Sequence, residues 1–522
     1  MTIDEIATRL DRANLDRLAA RVTALGARES FAVAAPWTGE VLAEAPLCTA
    51  ADALAAVAGA REVQREWAAR PLRKRARLLV GIHDLIWRES EAILDIIQAE
   101  TGKARCHCFE EVGDVAVMAR YYAFHGPRHL RPRRRRGGVP LLTRIREYRH
   151  PVGIAALISP WNYPLTLSLS DLLAALLAGN GAVLKPDRLT PFTALWALDL
   201  LERAGLPAGL VRVVTGRGSE LAPALIAASD FLMFTGSTQT GRLLASEAGS
   251  HLVDCTMELG GKNAMIVCAG ADLDRAARVA VWDCFSSTGQ LCVSIERIYV
   301  EAAVADDFAA RFVRETERLR LGAAFDYSAD MGSLISAEQL AKVTAHVDEA
   351  VAAGARVLTG GRPRPDLGPL FYEPTILSDV PEDAVVLGEE TFGPVVSLLP
   401  VAGIEEAVAA ANDSPYGLNA AVWDRNARRA RALARRLETG TVSVNDSYRA
   451  SWISADAPQG GWKDSGLGRR HGREGLLKYT EVQTVAVQRL LPIGPPPGWS
   501  EERFHRLLER LLRLLRRIPG LR

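Results

Sequence analysis

The segment GQLC (289–292) places a candidate nucleophile, Cys292, between a helix-like run and the β-rich run VSIERIYV. A cysteine attacks as its thiolate, which is sparsely populated at neutral pH unless nearby dipoles or charges favour it. The alternative interpretation is a buried structural cysteine, and we interpret Cys284, which lies in no motif, in that way. Cys106 and Cys108 flank a histidine, but no second ligand pair lies at zinc spacing, so no metal site is predicted.

Two further segments carry groups that covalent chemistry at a thiol would need. Glu258 precedes paired glycines in MELGGK (257–262), where its carboxylate could reach a cysteine or a water; the alternative is an ordinary turn residue. Asn162 lies between a strand and a helix in SPWNYP (159–164) and offers an amide donor that can stabilise an oxyanion. The alternative for Asn162 is a helix N-cap.

A fourth segment, FTGSTQTG (234–241), is a glycine-bearing turn from a strand to a helix. Backbone amides around Gly236 and Ser237 can hold a pyrophosphate at such a helix start. The segment departs from the GxGxxG fingerprint, so by itself it does not identify a dinucleotide site.

These segments lie among alternating strand-like and helix-like runs that begin at Val152. The β-rich runs are VGIAALI, GAVLKPD, VRVVTG and FLMFTGS, and the helical runs between them are SLSDLLAALLAGN, PFTALWALDLLERAGL and ELAPALIAASD. Such alternation is typical of a parallel, doubly wound sheet. Residues 1–130 instead show mostly the periodicity of amphipathic helices, and a second α/β region runs from about Gly261 to residue 480.

Composition limits the classes of partner. The 522 residues are too many for one compact core and suit two or three sub-domains. The net charge of +1 and the lack of aromatic residues in the basic run RPRRRRGGVP (131–140) predict no nucleic-acid partner. Seven cysteines, an odd number, do not indicate a disulfide framework. The charged start is not typical of a signal peptide, so we expect a cytoplasmic enzyme.

Seven segments together resemble the signatures of the aldehyde dehydrogenase superfamily, in the right order over roughly residues 30–490. They are PWNYP (160–164), KPDRLTP (185–191), FTGSTQTG (234–241), ELGGK (258–262), GQLC (289–292), ETFGP (390–394) and SGLGR (465–469). Within the superfamily, FYEPTIL, MGSLIS and GRRHGREGLLKYTE most resemble a succinate-semialdehyde dehydrogenase (NADP+) branch.

The resemblance implies NAD(P)-dependent oxidation of an aldehyde to a carboxylate through a cysteine thioester. Cys292 would attack the aldehyde, while Asn162 and the Cys292 backbone amide hold the oxyanion. Glu258 would then activate the water that releases the acid. The resemblance also implies a set of cofactor-binding residues: Trp161, Lys185, Gly236, Ser237, Glu390 and Phe392.

One position predicts a preference for NADP over NAD. NAD-using relatives typically carry a glutamate three residues after the lysine of KPxxxTP, and this chain carries Arg188 there. Arg188 and Lys185 would both attract a 2′-phosphate, which a carboxylate would repel. Asp187 could restore NAD binding if it turned inward, and Arg188 could instead point to solvent without any selectivity.

The implied fold is α/β and aldehyde dehydrogenase-like, with two doubly wound α/β domains and a β oligomerisation arm. We predict a cofactor-binding domain from residues 1–131 and 152–258 and a catalytic domain from residues 259–479. The arm would comprise residues 132–151 and 480–492, whose β-rich segments could pair, and would build a homodimer or homotetramer.

The substrate side departs from the succinate-semialdehyde enzymes. Their carboxylate-binding arginine is replaced here by Ser170, and Arg449, in the loop SYRASWIS, could take its place beside Tyr163. An exposed loop arginine is the alternative. Residues 493–522 form an amphipathic, arginine-rich tail, which suggests either packing on protein or peripheral binding to a membrane surface. The competing functions are therefore a membrane-surface dehydrogenase for apolar or long-chain aldehydes, and a silent structural or binding member.

Overall fold

The structure is a computed structural model, which describes Ile6 and residues 9–137, 143–488 and 494–517. The N-terminal region contributes helices and a hairpin that pack on the first sheet: α1 (Arg12–Ala19), β1 (Ser30–Ala34), β2 (Val41–Pro46), α2 (Ala50–Ala69), α3 (Leu72–Arg88), α4 (Ser90–Thr101) and α5 (Arg105–Leu130). The long amphipathic helices predicted before residue 131 are thus confirmed. Within the described ranges, none of the helices has the length and apolar character needed to cross a bilayer.

The first sheet has six strands in the order β19–β9–β8–β5–β6–β7. Its strands are β5 (Ile154–Ile158), β6 (Gly181–Lys185), β7 (Val211–Val213), β8 (Phe231–Thr235), β9 (Asp254–Glu258) and β19 (Gly466–Leu467). The helices between them are α6 (Pro164–Ala178), α7 (Pro191–Arg203), α8 (Gly218–Ala228) and α9 (Thr238–Ser250). Five strands are parallel, and β19 pairs antiparallel with β9 at the edge. The doubly wound sheet predicted from Val152 is confirmed.

Local sequence explains why these elements begin and end where they do. Strands β5, β6 and β8 are buried along their whole length, as expected for parallel strands covered by helices on both faces. Helix α6 begins with Pro164, whose fixed φ suits the first helical turn. It ends at Gly179, whose φ of 106° is in the left-handed region that favours glycine.

The second sheet has seven strands in the order β12–β13–β14–β11–β10–β16–β17. Its strands are β10 (Asn263–Val267), β11 (Ile295–Glu301), β12 (Arg356–Thr359), β13 (Thr375–Ser378), β14 (Val395–Val401), β16 (Asn419–Trp423) and β17 (Thr441–Val444). All are parallel except the edge strand β12. A small hairpin pairs β15 (Tyr416–Gly417) with β18 (Trp462–Lys463).

Helices cover both faces of this second sheet. They are α10 (Leu273–Phe285), α11 (Ala305–Thr316), α12 (Ala337–Ala352), α13 (Val385–Gly388), α14 (Ile404–Asn412), α15 (Ala427–Ala434) and α16 (Arg449–Trp452), whereas α17 (Gly472–Leu477) packs on α5 and α6 of the first region. Two 3₁₀ turns, Ser286–Gly289 and Ala302–Val304, flank strand β11. Separate apolar clusters fill the two sides of the sheet, so this region has a core of its own.

A third, antiparallel sheet joins β3 (Arg133–Arg135), β4 (Thr143–Pro151) and β20 (Thr480–Gln488). All nine residues of β4 pair with β20, so the expected pairing of these two segments is confirmed. Most of β20 is exposed to solvent. The predicted arm also includes residues 138–142 and 489–492, which lie outside the described residues, as do residues 493 and 518–522 of the tail. The described tail contains helix α18 (Glu501–Leu515).

Candidate active site

The carboxyl ends of the first sheet's central strands bring four sequence motifs together. PWNYP follows β5, KPDR includes the end of β6, and FTGS includes the end of β8. Glu258 ends β9 and pairs with Thr235 of β8. From β5 the chain adds β6 and β7 on one side and then β8 and β9 on the other, so the direction of winding reverses between β5 and β8. Open α/β sheets bind their ligands in the crevice outside such a switch point.

Cys292 enters this crevice from the second region on a constrained turn before β11. Ser287 and Thr288 have φ of 53° and 60°, so the 3₁₀ turn is kinked into the left-handed region. Gly289 has φ of 70°, and a Cβ there would lie 2.0 Å from the Gly393 carbonyl oxygen, so only glycine fits. Gln290 fixes the turn by accepting the Ile335 N–H at 2.9 Å.

Two chambers meet at Cys292. The first, which we call the aromatic chamber, has a volume of about 540 Å³ and is lined by Trp87, Cys106, Phe109, Glu110, Gly113, Asp114, Val117, Asn162, Tyr163, Thr166, Leu167, Leu291, Cys292, Val293, Tyr327, Tyr448, Arg449, Trp452 and Ile453. The second, the polar chamber, has about 230 Å³ and is lined by Pro160, Trp161, Asn162, Leu167, Thr235, Gly236, Ser237, Glu258, Leu259, Gly260, Cys292, Gln339, Lys342, Glu390 and Phe392. Cys292, Asn162 and Leu167 line both, so a thiol and an amide stand between the two spaces.

Burial keeps the Cys292 thiol protonated at rest. Desolvation raises the pKa of Cys292 to about 12, and the carboxylates of Glu390 and Glu258 act in the same direction. The cation of Arg470 opposes them. Formation of a thiolate therefore requires a group that accepts its proton.

Glu258 is a buried carboxyl with unused hydrogen-bonding capacity. Its Oε1 has no hydrogen-bond partner among the described residues. Burial raises the pKa of Glu258 to about 7, although the buried cations Arg470 and Lys478 oppose the shift. A Cβ on Gly460 would lie 3.1 Å from this Oε1, so the loop before β19 comes close to the carboxylate. The group is poised to exchange protons near neutral pH.

Asn162 is held so that its amide faces the cysteine turn. Its Nδ2 donates to the Gln290 carbonyl oxygen at 2.9 Å. The backbone carbonyl oxygen of Asn162 accepts a hydrogen bond from Lys103 Nζ at 2.9 Å, and Lys103 pairs with the buried carboxylate of Glu111. Glu111 Oε2 also accepts the Leu165 N–H at 2.8 Å at the start of α6. A buried ion pair therefore fixes the strand-to-helix turn.

The polar chamber combines two aromatic rings with a carboxylate held at paired glycines. The rings of Trp161 and Phe392 meet edge to face, with centroids 5.5 Å apart. Glu390 Oε1 accepts the Gly261 N–H at 2.8 Å, and a Cβ on Gly260 would lie 2.5 Å from the other oxygen of Glu390. The absence of side chains at Gly260 and Gly261 thus leaves space beside the Glu390 carboxylate that a larger residue would fill.

A buried ion pair supports one wall of this chamber. Glu296 pairs with Lys262, and both are almost fully buried. Its two oxygens also accept the N–H groups of Thr391, at 2.9 Å, and Phe392, at 3.0 Å. The lysine of ELGGK therefore positions the segment ETFGP.

At the helix start, Ser237 caps α9 by accepting the Thr240 N–H at 3.3 Å. Gly236 donates its N–H to the Glu258 carbonyl oxygen at 3.1 Å. Gly236 and Ser237 line the polar chamber, so the N-terminus of a 13-residue helix lies at its edge, a position that suits a pyrophosphate.

Lys185 and Arg188 lie outside both chambers, at the end of β6. Lys185 is 5% exposed, and a Cβ on Gly218 would lie 3.8 Å from its Nζ. Desolvation lowers the pKa of Lys185; the charge of Asp187 opposes this shift and that of Arg188 adds to it. Arg188 is exposed in the turn that follows. Asp187 Oδ1 accepts the Leu189 N–H at 2.9 Å, so its carboxylate is used within its own turn.

Comparison with known proteins identifies the family of the chain. A family model described as "Aldehyde dehydrogenase family" matches residues 23–485. A putative NADP+ succinate-semialdehyde dehydrogenase of Mycolicibacterium smegmatis is 48% identical over 496 residues, which are 95% of this chain and 96% of that protein. The chain belongs to the aldehyde dehydrogenase family. Betaine aldehyde dehydrogenase of Bacillus subtilis is 36% identical over 83% of this chain and 89% of that protein.

Solved structures of the family share the fold. Betaine aldehyde dehydrogenase of Staphylococcus aureus in complex with NAD+ gives a TM-score of 0.86 at 29% identity, over 94% of this chain and 99% of that one. An NADP dependent enzyme of E. coli gives a TM-score of 0.85 at 34% identity, over 88% of this chain and 95% of that one. The predicted fold class, family and NAD(P)-dependent aldehyde oxidation are confirmed, and so is the resemblance to the succinate-semialdehyde branch.

In this aldehyde dehydrogenase, two of the three residues suggested for the substrate side line the aromatic chamber. Tyr163 and Arg449 do so. Ser170 does not: it is buried in α6, and its hydroxyl donates to Asp114 Oδ2 at 2.7 Å. Ser170 therefore reaches the chamber only through Asp114, which lines it.

The sequence analysis missed the chamber residues supplied by α3 and α5. Trp87 comes from α3, and Phe109, Glu110 and Asp114 come from α5. Their one signal is the i, i+4 spacing of Glu110 and Asp114, which places both carboxylates on one helix face. Nothing in the sequence indicates that this face meets the cysteine turn.

Proposed function

We propose that this aldehyde dehydrogenase works through a thioester on Cys292, and the observation that carries the proposal is the meeting of two chambers at that residue. The Cys292 sulfur forms a bond to the aldehyde carbon entering from the aromatic chamber, and its proton leaves to a base. Asn162 Nδ2 and the Cys292 N–H stabilise the oxyanion. A nicotinamide held beside Trp161, Glu390 and Phe392 would supply the hydride acceptor that oxidation of the aldehyde carbon to the thioester needs.

Glu258 is the base that the electrostatics favour. A carboxyl with a pKa near 7 changes protonation state close to neutral pH, which is what a general base requires. Its unpartnered Oε1 is free to accept a proton from the thiol or from a water. That water adds to the thioester carbon, the carbon–sulfur bond breaks, and the carboxylic acid leaves while Cys292 regains a proton.

We also propose NADP as the preferred cofactor, with NAD as a possible second. The Mycolicibacterium relative described above carries NADP+ in its name, although the Staphylococcus structure holds NAD+. Arg188 and Lys185 place two cations at the end of β6, where the adenine ribose would lie. The Asp187 carboxylate accepts the Leu189 N–H within its own turn, and its charge acts on Lys185 against that of Arg188.

Initial rates with each cofactor test these proposals. Wild type should give a higher kcat/KM for NADP than for NAD, and Arg188→Glu should reverse the order because a carboxylate repels the 2′-phosphate. Arg425→Glu changes an exposed arginine in the loop after β16; it is the matched control and should leave the ratio unchanged. A wild type that favours NAD contradicts the cofactor proposal, and a chain that oxidises no aldehyde with either cofactor contradicts the function.

The relatives' name makes succinate semialdehyde the first substrate to consider. A carboxylate in the aromatic chamber would need a cation, and among the described lining residues that cation is Arg449, which is paired with Glu110.

We propose that the three-stranded sheet builds a homodimer or homotetramer. Val482, Val485 and Val487 are 51%, 37% and 52% exposed on β20, which is an edge strand of its sheet within the described residues. An exposed strand edge with apolar side chains is a ready pairing surface. Light scattering should report an oligomer that Val485→Arg weakens; a monomeric wild type contradicts the proposal.

We further propose peripheral membrane binding through α18. Leu507, Leu512 and Leu514 are at least 47% exposed, and the helix has no buried residue. Interfacial helices combine such leucines with arginines. Liposome co-sedimentation of the full chain and of a version ending at Pro497 decides this, since equal binding by both contradicts it.

A further inference from the structure

The walls of the aromatic chamber are mainly hydrocarbon. Aromatic rings and aliphatic side chains form most of its lining: Trp87, Phe109, Val117, Leu167, Leu291, Val293, Tyr327, Trp452 and Ile453. Such a space favours an apolar body, because burying apolar surface is favourable and burying an unpaired charge is costly.

The chamber's cation is already engaged. Arg449 Nε donates to Glu110 Oε1 at 2.6 Å, and its guanidinium carbon lies 3.3 Å from the centroid of the Trp282 ring. A guanidinium that is stacked on one face and paired with a carboxylate has its charge compensated.

Glu110 is held in this pairing by two further donors. The hydroxyl of Tyr448 donates to it at 3.0 Å and that of Tyr163 at 3.2 Å. Both tyrosines are buried, so their hydroxyls depend on Glu110 as an acceptor. The Glu110–Arg449 pair is therefore built into the wall.

The second carboxyl in the lining is also satisfied. Asp114 accepts the Ser170 hydroxyl at 2.7 Å, and burial raises the pKa of Asp114 to about 6. The cation of Arg470 acts on the same carboxyl. Among the described lining residues, each charged side chain therefore already has a partner: Arg449 pairs with Glu110, and Asp114 accepts from Ser170.

We propose that the chamber selects uncharged aldehydes with an aromatic or other apolar body and rejects aldehydes that carry a carboxylate, and that Glu110 sets this selectivity by occupying Arg449. The proposal rests on the proposed function, since it concerns the aldehyde that reaches Cys292. A carboxylate entering the chamber would lose its hydration and find its one cationic partner engaged. An aromatic ring would lose little hydration and would pack against the apolar walls.

The test compares kcat/KM with NADP for phenylacetaldehyde, succinate semialdehyde and betaine aldehyde. We expect phenylacetaldehyde to exceed each of the other two by at least about tenfold, which is the order of magnitude of a single charge-assisted hydrogen bond. Succinate semialdehyde or the cationic betaine aldehyde as the best substrate overturns the inference but leaves the thioester function standing. Oxidation of none of the three overturns both.

Glu110→Gln tests the residue. It keeps an acceptor for the tyrosines but frees the Arg449 charge, so the ratio of kcat/KM for succinate semialdehyde to that for phenylacetaldehyde should rise about tenfold. The ratio within one preparation does not depend on the fraction of folded enzyme. Glu110→Gln/Arg449→Gln should return the ratio to its wild-type value, and Glu66→Gln, an exposed glutamate on α2, is the control that should not move it. An unchanged ratio in Glu110→Gln overturns the role of Glu110.

Discussion

Replacement of Glu258 by glutamine should remove the pH dependence of deacylation. Burial raises the pKa of this carboxyl from 4.5 to about 7, and only the carboxylate can take a proton from the hydrolytic water. With that pKa, the ionised fraction rises from about 9% at pH 6 to about 91% at pH 8, so deacylation should rise about tenfold across this interval. The rate increases with pH because the base form is the active one.

Decay of the acyl-enzyme in single turnovers gives this rate directly. Enzyme in excess is mixed with NADP and aldehyde, quenched with acid at set times, and analysed by intact mass, so the result does not depend on which step limits turnover. Glu258→Gln should decay slowly and with no inflection near pH 7, while Glu66→Gln should keep the wild-type profile. A wild-type decay rate that is flat from pH 6 to 8, or an inflection that persists in Glu258→Gln, refutes the assignment.

The raised pKa of Glu258 also predicts how the stability of the folded chain changes with pH. Below pH 4.5 the carboxyl is protonated in both the folded and the unfolded chain, and its burial has no ionic cost. Between pH 4.5 and about 7 the unfolded chain ionises first, so folded stability falls until the cost reaches about 3 kcal/mol. Glutamine lacks this cost. The Tm of Glu258→Gln minus that of wild type should therefore grow from pH 4.5 to 7 and then level; a difference independent of pH contradicts the account.

Three further changes test the positioning of the site. Asn162→Ala should lower turnover by about 10²–10³ through loss of an oxyanion donor, whereas a loss below about threefold in initial rates would leave Asn162 as a cap only. Lys262→Met leaves Glu296 without its cation in a buried site and should cost about 3–5 kcal/mol in denaturant unfolding; an unchanged midpoint would count against a structural role. Gly289→Ala would force a Cβ to 2.0 Å from the Gly393 carbonyl, so we expect loss of thiol labelling at the site, and full activity would contradict the strained turn.

The first sheet and the motif order could be predicted because both are local properties of the chain. Strands β5, β6 and β8 are short runs of apolar residues between helical runs, and the residues at their carboxyl ends follow directly. The chemistry of Cys292, Glu258 and Asn162 was accessible for the same reason: each lies at a strand or helix boundary, marked in the sequence by glycine or proline.

Contacts between distant segments could not be predicted in this way. Strand β19 has two residues and therefore no period, yet it pairs with β9 and brings SGLGR beside Glu258. Helix α6 is buried all round, so no stripe shows which side faces the chamber. The pairing of Glu110 with Arg449 joins residues 339 positions apart, and only the fold brings them together.

The measurement that tests the central claim most directly is the mass of the enzyme during turnover in Glu258→Gln. With NADP and phenylacetaldehyde, the intact chain should gain the mass of one acyl group, and peptide mapping should place it on Cys292. Cys292→Ser should show no adduct and no oxidation of the aldehyde while still binding NADP. An adduct on any other residue, or a Cys292→Ser variant that keeps most of the wild-type rate, would contradict thioester catalysis at Cys292.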